Sequence, residues 1–318
     1  MSQETTARVD HVALPAGAAI GRYVVREVLG QGGFGITYRA HDTRLDREVA
    51  IKEYLPAALA VRKDGASVLP RSTEAAADFG WGRERFLAEA RTLAGLHQAP
   101  AIVKVFDFLE ANGTAYMVME RLRGTTLEER VHRRGPIDAA ALEILLWPLL
   151  AGLQTVHAAG FLHRDIKPAN IVIGDEGRAT LIDFGASRAA MAGRTRTMTA
   201  IFTPGFAAPE QFSASRQGAW TDIYGLAATL VFALTGAAPP SAVDRLMEES
   251  YEPLALRPPP GASPALLAGI DAGLVLPIEQ RPQDIADWRA LLRGGAPLPG
   301  EETTQVMAPV SGPGPGPG

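Results

Sequence analysis

The stretch of sequence that decides the fold of this chain is His163-Arg164-Asp165-Ile166-Lys167-Pro168-Ala169-Asn170, together with Asp183-Phe184-Gly185. The apolar runs 171–173 and 180–182 between them predict a short β pair. The separation of Asp165 and Asp183 suffices for a hairpin that returns both loops to the same edge. Two carboxylates, a lysine and an amide then lie together, and oxygen ligands such as Asn170 and Asp183 suit magnesium.

A glycine cluster lies upstream, in Gly30-Gln31-Gly32-Gly33-Phe34-Gly35. Its G-x-G-x-x-G spacing alone is also compatible with a plain glycine turn. A dinucleotide fingerprint would continue into a helix, whereas residues 36–40 continue as a strand, and no P-loop Gly-Lys-Ser/Thr follows. The cluster therefore predicts a β hairpin whose backbone N–H groups can cover phosphates without obstruction by β-carbons.

Two charged residues between the glycine cluster and residue 163 are candidates for an ion pair. Lys52 closes the predicted strand 49–51, where a solvated lysine is the ordinary outcome. Glu89 lies beside the apolar stripe of a predicted helix, 84–96, and a carboxylate there requires a cation. Lys52 and Arg85 both suit that role, and spacing alone does not choose between them.

The regular elements divide the chain into a β-rich first part and a helical second part that meet near Glu120. Strands are predicted at 103–106 and 115–119, joined across Asn112-Gly113, and long helices at 142–156 and 223–234. An insertion, Pro56–Trp81, carries a predicted turn at Lys63-Asp64-Gly65. We interpret it as a tolerated loop, with a regulatory surface as the alternative.

Composition excludes several classes of function. The 318 residues are 47% hydrophobic and 21% charged, as in an ordinary folded protein. With 31 Lys and Arg against 35 Asp and Glu, the net charge is −4, so no broad basic surface is expected and nucleic acid is not an expected partner. The absence of cysteine excludes disulfides and thiolate chemistry, and fits a reducing compartment.

Neither the amino terminus nor the most apolar run predicts membrane targeting. Met1–Val12 lacks an apolar run behind a basic start, and is not a secretory signal. Ile223–Ala238 is too short to span a bilayer and is interpreted as a buried core helix. We therefore expect a cytoplasmic chain with no membrane segment. The Gly/Pro-rich segment 294–318 is expected to be disordered.

These motifs, with Val49-Ala50-Ile51-Lys52 and Ala208-Pro209-Glu210, resemble the catalytic domain of eukaryotic-type (Hanks-type) bacterial serine/threonine protein kinases. The resemblance covers roughly Tyr23 to Leu292. It implies an α+β, bilobal protein-kinase fold, with a small β-rich N-lobe containing one main helix and a larger α-helical C-lobe. The implied domains are an N-terminal extension at 1–20, the N-lobe at 21–120, the C-lobe at 121–293 and the tail at 294–318.

The resemblance also implies the roles of individual residues. Asp165 accepts the substrate hydroxyl proton, Lys167 neutralises the transferred phosphoryl group, and Lys52, oriented by Glu89, holds the α- and β-phosphates of ATP. Asn170 and Asp183 hold Mg²⁺, with Mn²⁺ as an alternative ion. The residues implied to contact the nucleotide are Leu29, Gly30, Gly32, Gly33, Phe34, Gly35, Thr37, Ala50, Lys52, Glu89, Met119, Glu120, Leu122 and Val172.

The function implied is transfer of the ATP γ-phosphate to Ser/Thr hydroxyls of proteins in bacterial signalling, with autophosphorylation. The alternatives are a pseudokinase scaffold and a small-molecule phosphotransferase. A pseudokinase usually lacks one of the catalytic groups, and Lys52, Asp165, Asn170 and Asp183 are all present. The segment 183–210 resembles a protein-substrate platform that small-molecule enzymes generally lack. Thr37, Phe202, Gly225 and Ala227 depart from the usual family residues outside the phosphoryl-transfer set.

Four further expectations follow from the resemblance. A phosphate on the loop after Asp183, at Thr195, Thr197 or Thr199, pairs with Arg164. Thr203 lies near Asp165 and Lys167, where it positions the substrate. Glu210 pairs with Arg281 in the C-lobe. In the tail, Thr303 and Thr304 follow two glutamates, a pattern similar to segments that bind forkhead-associated domains when phosphorylated; a solubilising patch is the alternative.

Overall fold

The computed structural model describes residues 13–185, 203–213 and 215–295. Its first lobe is built on a six-stranded antiparallel sheet in the order β1-β2-β3-β4-β8-β7. These strands are β1 (Ala19–Ile20), β2 (Tyr23–Gly32), β3 (Gly35–Asp42), β4 (Arg47–Tyr54), β7 (Val105–Ala111) and β8 (Thr114–Glu120). Strand β4 lies between β3 and β8 and is buried from Val49 to Tyr54, so it forms the centre of this lobe.

The insertion after β4 is ordered and has its own secondary structure. Strands β5 (Ala60–Lys63) and β6 (Ser67–Pro70) form a hairpin, and its turn places Asp64 and Gly65 at positive φ, in agreement with the predicted turn. Helix α1 then begins at Thr73, capped by Ser72, and ends at Gly95. It therefore starts well before the predicted residue 84. Its buried face, including Phe86 and Leu93, packs against β7 and β8.

The second lobe is mostly helical. A three-stranded sheet of β9 (Gly124–Thr126), β10 (Ile171–Gly174) and β11 (Ala179–Leu181) lies at its upper edge. The helices are α2 (Leu127–Arg134), α3 (Ala139–Ala158), α4 (Ala219–Thr235), α5 (Ala242–Met247), α6 (Pro264–Gly273) and α7 (Ile285–Leu292). Helix α4 is buried from Thr221 to Leu234 and packs against α3, α6 and α7, so it forms the core of this lobe, as its apolar sequence predicts.

The bilobal α+β fold is thus confirmed, whereas the domain limits stay predictions. Ala19 and Ile20, assigned to the N-terminal extension, form β1 on the edge of the main sheet. In the described part of the chain, one helix, α3, is long and apolar enough to cross a membrane. Half of its most apolar window is buried inside the protein, and the core helix of a soluble protein passes the same test.

Candidate active site

A cavity of about 430 Å³ lies between the glycine hairpin and the upper edge of the helical lobe. Its walls include every residue predicted to contact the nucleotide except Gly33 and Glu89. Gly30 and Gly32 have open space where a β-carbon would be, so their backbone is accessible from the cavity. Five further lining residues were not predicted from the sequence: Gln31, Val103, Thr126, Ala169 and Ile182.

Gly33 and Gly35 have structural roles at the end of the glycine hairpin. The Gly33 carbonyl accepts a hydrogen bond from the Ala57 N–H at 3.0 Å. A β-carbon on Gly35 would lie 2.0 Å from the carbonyl oxygen of Glu53, a distance that no side chain tolerates. Glycine is therefore required at position 35 by close packing against β4.

Lys52 projects from the central strand β4 and is only 9% exposed. Its Nζ lies 2.7 Å from Oδ1 of Asp183, so the ion pair joins the two lobes across the cavity. Asp183 has a φ of 63°, in the left-handed region that disfavours residues with a β-carbon. A backbone conformation of this kind at a charged residue in a cleft is typical of functional sites.

Glu89 does not line the cavity that contains Lys52. It is buried on α1 and lines a separate cavity of about 250 Å³ with Arg85 and Arg164. Among the described residues, the ion-pair partner of Lys52 is Asp183 and not Glu89. The choice of carboxylate depends on the rotation and position of α1 relative to β4, which the helical spacing of Glu89 does not determine. The role of Glu89 in orienting Lys52 stays a prediction.

The catalytic loop holds Asp165 in a defined orientation. The side-chain amide of Asn170 donates to Asp165 Oδ2 at 2.7 Å and to the Asp165 carbonyl at 2.8 Å. Lys167 Nζ lies 3.3 Å from Asp165 Oδ1 and donates to Thr203 Oγ1 at 3.0 Å. The loop therefore places a carboxylate, an ammonium group and a hydroxyl together beside the Lys52–Asp183 pair, with Thr203 near the two residues expected.

Asp222, at the start of α4, binds the backbone of this loop. This role was not predicted from the sequence. Its carboxylate accepts from the backbone N–H groups of His163 at 2.8 Å and Arg164 at 2.7 Å. His157 Nε2 also lies 2.8 Å from it. Burial alone would raise the pKa of Asp222, but the His157 hydrogen bond and charge, with the backbone donors, hold that pKa below its ordinary value.

The imidazole of His163 connects the two catalytic stretches. It is fully buried, its Nε2 lies 2.9 Å from the Ile182 carbonyl, and its ring contacts Phe184 at 4.3 Å between centroids. Burial lowers the pKa of His163, which keeps the ring neutral at pH 7. Two sequence features could have indicated these contacts. Asp222 is an acid at the start of an otherwise apolar helix, and His163 lies two residues before Asp165.

A buried ion pair fixes the end of the substrate-platform segment. Arg281 NH1 lies 2.9 Å from Glu210 Oε1, and both side chains are at most 1% exposed. Arg281 also donates to the carbonyls of Trp220, Val275 and Leu276. The expected Glu210–Arg281 pair is present. The candidate phosphorylation sites, Phe202 and the tail threonines fall outside the described residues.

The residues present suit a nucleotide and a hard metal ion. The cavity walls are predominantly apolar, with Lys52 and Asp183 at one end. Because both amide hydrogens of Asn170 serve Asp165, its amide oxygen is the atom left to coordinate a cation, together with Asp183. Within the described residues, no cluster of three or more His, Cys, Asp or Glu could hold a metal by itself.

Comparison with known proteins agrees with this geometry. The protein kinase domain family matches residues 23–254. The serine/threonine-protein kinase PknD of Mycobacterium tuberculosis is 35% identical over 265 residues, which are 80% of this chain and 37% of PknD. PknE of Mycobacterium bovis is 32% identical, over 84% of this chain and 44% of PknE. The chain thus spans less than half the length of these relatives.

Solved structures show the same fold. The structure described as PpkA-294 in its apo form is 41% identical, with a TM-score of 0.80, covering 88% of this chain and 99% of that one. Rad53 in complex with AMP-PNP is 23% identical, with a TM-score of 0.64, covering 85% of this chain and 65% of that one, and supports the fold alone. By its matched domain, its relatives and its cleft, this chain belongs to the protein kinase family.

Proposed function

We propose that this chain is a protein kinase that transfers the γ-phosphate of ATP to serine and threonine hydroxyls of proteins. The observation that carries the proposal is the convergence of Lys52 and Asp183, paired at 2.7 Å, with Asp165, Asn170 and Lys167 in one cleft. The serine/threonine kinases among its relatives support the same activity. Since those proteins are much longer, the activity of a complete protein is part of the proposal.

Some residues of this chain bind the phosphates of ATP, and one residue accepts a proton. The glycine hairpin covers the phosphates with backbone N–H groups, and Lys52 neutralises part of their charge. Asp165 accepts the proton of the substrate hydroxyl, held in place by the Asn170 amide. Bound ATP with its metal ion supplies the transferable phosphoryl group. The catalytic contribution of the protein is therefore mainly positioning and charge stabilisation.

The metal we propose is Mg²⁺, with Mn²⁺ as the alternative. Asp183 and Asn170 offer hard oxygen atoms, which both ions accept, whereas the described cleft contains no cysteine and its histidine, His163, is occupied with Ile182. When the nucleotide and its metal are bound, Asp183 would hold the cation and Lys52 would hold phosphate oxygens, since both residues line the cavity.

Protein substrates are favoured over small molecules by the surface around Thr203. Thr203 Oγ1 accepts from Lys167, and the segment from Thr203 to Glu210 is fastened to the lobe by Arg281. A fixed segment beside the catalytic carboxylate offers an extended peptide a surface on which to lie. Lys167 at this position supports serine and threonine as the accepting residues, by family resemblance.

We also infer a cytoplasmic site of action and one class of partner. ATP is found in the cytoplasm, which is also a reducing environment. A chain without cysteine has no disulfide that such an environment could reduce. Thr303 and Thr304, once phosphorylated, offer a phosphothreonine to a forkhead-associated domain. Mass spectrometry of the peptide spanning Glu301 to Met307 after incubation with MgATP tests this partner, and an unmodified peptide would remove it.

The activity is tested by steady-state phosphate transfer to a generic protein acceptor and, in parallel, to amino sugars and choline. We expect transfer to the protein alone. Asp183→Asn should abolish transfer because the cation loses a charged ligand, while the melting temperature stays close to that of the parent. Transfer to a small molecule alone, or undiminished transfer by Asp183→Asn, would contradict the assignment.

A further inference from the structure

The insertion between β4 and α1 is anchored in the protein interior by one side chain, Arg62. This residue lies on β5, and its side chain is 1% exposed. Its NH2 group forms an ion pair with Oε2 of Glu53, which is fully buried on β4 directly after Lys52. Its NH1 group donates to the Ala66 carbonyl at 2.6 Å, at the other end of the hairpin turn. Arg62 thus joins the hairpin to the strand that carries the nucleotide lysine.

Glu53 is also bound from both neighbouring strands. Tyr38 on β3 donates its hydroxyl to Oε2 at 2.8 Å, and Tyr116 on β8 donates its hydroxyl to Oε1 at 2.8 Å. Burial, the largest cause, and the negative charge of Glu53 raise the pKa of both tyrosines, so they stay neutral donors. Because successive side chains of a strand point to opposite faces, Glu53 fixes one face of β4 while Lys52 projects from the other.

Ala57 in the insertion and Leu55 immediately before it bind the glycine hairpin directly. The N–H groups of Leu55 and Ala57 donate to the carbonyls of Phe34 and Gly33, each at 3.0 Å. At the far end of the insertion, Arg71 Nε donates to the Ala57 carbonyl at 2.7 Å. The insertion therefore contacts both parts of the phosphate-binding apparatus, β4 and the glycine hairpin.

We propose that the hairpin β5–β6 is a brace for the nucleotide site and that Arg62 is its positioning residue. The proposal rests on the proposed kinase function of this cleft. Removal of Arg62 leaves the Glu53 carboxylate buried with hydroxyl donors only, which favours a shift of β4 toward solvent. Such a shift displaces Lys52 and loosens the packing of Gly35 on the Glu53 carbonyl. The predicted result is weaker nucleotide binding, not merely lower stability.

The substitution that tests the brace is Arg62→Met, and its matched control is Lys63→Met. Both variants replace a positively charged side chain with methionine. Arg62 is buried, whereas Lys63, at the next position of β5, is exposed. The measurement is the dissociation constant for MgADP by calorimetry, well below the melting temperature. We expect at least a tenfold increase for Arg62→Met, a smaller increase for Arg62→Lys, and a change of less than twofold for Lys63→Met.

Hydrogen exchange of the protein without nucleotide gives an independent readout. The amides of residues 30–36 and of Leu55 and Ala57 should exchange at least tenfold faster in Arg62→Met than in Lys63→Met. Should Arg62→Met not fold, Arg71→Gln, at an exposed position, still releases Ala57 and should raise the MgADP dissociation constant about threefold.

The outcomes separate the brace from the kinase assignment. An MgADP dissociation constant for folded Arg62→Met within twofold of the parent, with a lower melting temperature, would reduce Arg62 to a stabilising residue and overturn the brace. If Arg62→Met does not fold, an unchanged MgADP dissociation constant for Arg71→Gln would overturn the brace. A parent protein that binds no MgADP would instead overturn the proposed function.

Discussion

The most quantitative prediction concerns the ion pair between Arg281 and Glu210. Both side chains are at most 1% exposed, and Arg281 NH1 lies 2.9 Å from Glu210 Oε1. Arg281→Met leaves a buried carboxylate whose remaining donor among the described residues is the Thr221 hydroxyl, and it removes the donors to three backbone carbonyls. Loss of one partner of a buried pair typically costs about 3–5 kcal/mol. For a domain of this size, that corresponds to a fall in melting temperature of roughly 6–20 °C.

The assay is a double-mutant cycle with Arg281→Met, Glu210→Gln and the combined variant, followed by denaturant unfolding without nucleotide. Because the two side chains interact directly, the combined loss should be smaller than the sum of the single losses, by about 0.5–3 kcal/mol. The control is Arg257→Met. Arg257 pairs with Glu252 at 3.1 Å, but its side chain is 80% exposed, so the melting temperature should change by about 2 °C or less. Losses that add independently would refute the pairing argument.

Three other predictions test separate parts of the site. Lys52→Met should lower phosphate transfer by about 100-fold or more, because it removes a charge opposite the phosphates, and steady-state kinetics will measure the loss. Burial lowers the pKa of His163, so below pH 6.5 the unfolded chain binds more protons than the folded chain. The free energy of unfolding, measured with urea, should therefore fall from pH 7 to pH 5.5, and it should fall less in His163→Gln. If a phosphate on the activation loop pairs with Arg164, substituting alanine at three threonines should lower transfer several-fold, and an unchanged rate would contradict this. These threonines are Thr195, Thr197 and Thr199.

The proximity of the candidate catalytic residues could be predicted from the sequence because they lie in short, continuous stretches, whereas their roles stay predictions. Asp165, Lys167 and Asn170 share one loop, so their proximity depends on local geometry rather than on packing between distant elements. Asp183 returns to the same edge because β10 and β11 form the expected short pair. For the same reason, the glycine hairpin could be distinguished from a dinucleotide fingerprint by the strand that follows it.

Features that depend on packing between distant elements could not be predicted from the residues alone, and the Glu210–Arg281 pair was expected only through the family resemblance. The cation of Glu89 was left open between Lys52 and Arg85, and the structure pairs Lys52 with Asp183. Helical spacing gives the face of α1 but not its position over β4. The early start of α1 was hidden by glycines in its first turns, although Ser72 is a good N-cap.

The insertion illustrates the same limit. Its turn was visible in Lys63-Asp64-Gly65, since positive φ favours aspartate and glycine. The burial of Arg62, which directly precedes Lys63, could not be predicted, because its partner Glu53 lies on another strand and is itself buried. Strand alternation puts Lys52 and Glu53 on opposite faces, but only the tertiary structure shows that the face of Glu53 is covered.

Phosphosite mapping of the purified chain tests the central claim most directly. The parent and Asp165→Asn are incubated with MgATP and a generic protein acceptor, then digested and analysed by mass spectrometry. The parent should place phosphate on serine and threonine residues only, and Asp165→Asn should place almost none while retaining its fold and its affinity for MgADP. Equal phosphorylation by Asp165→Asn, or no phosphorylated serine or threonine with the folded parent, would contradict the assignment of this cleft as a protein kinase active site.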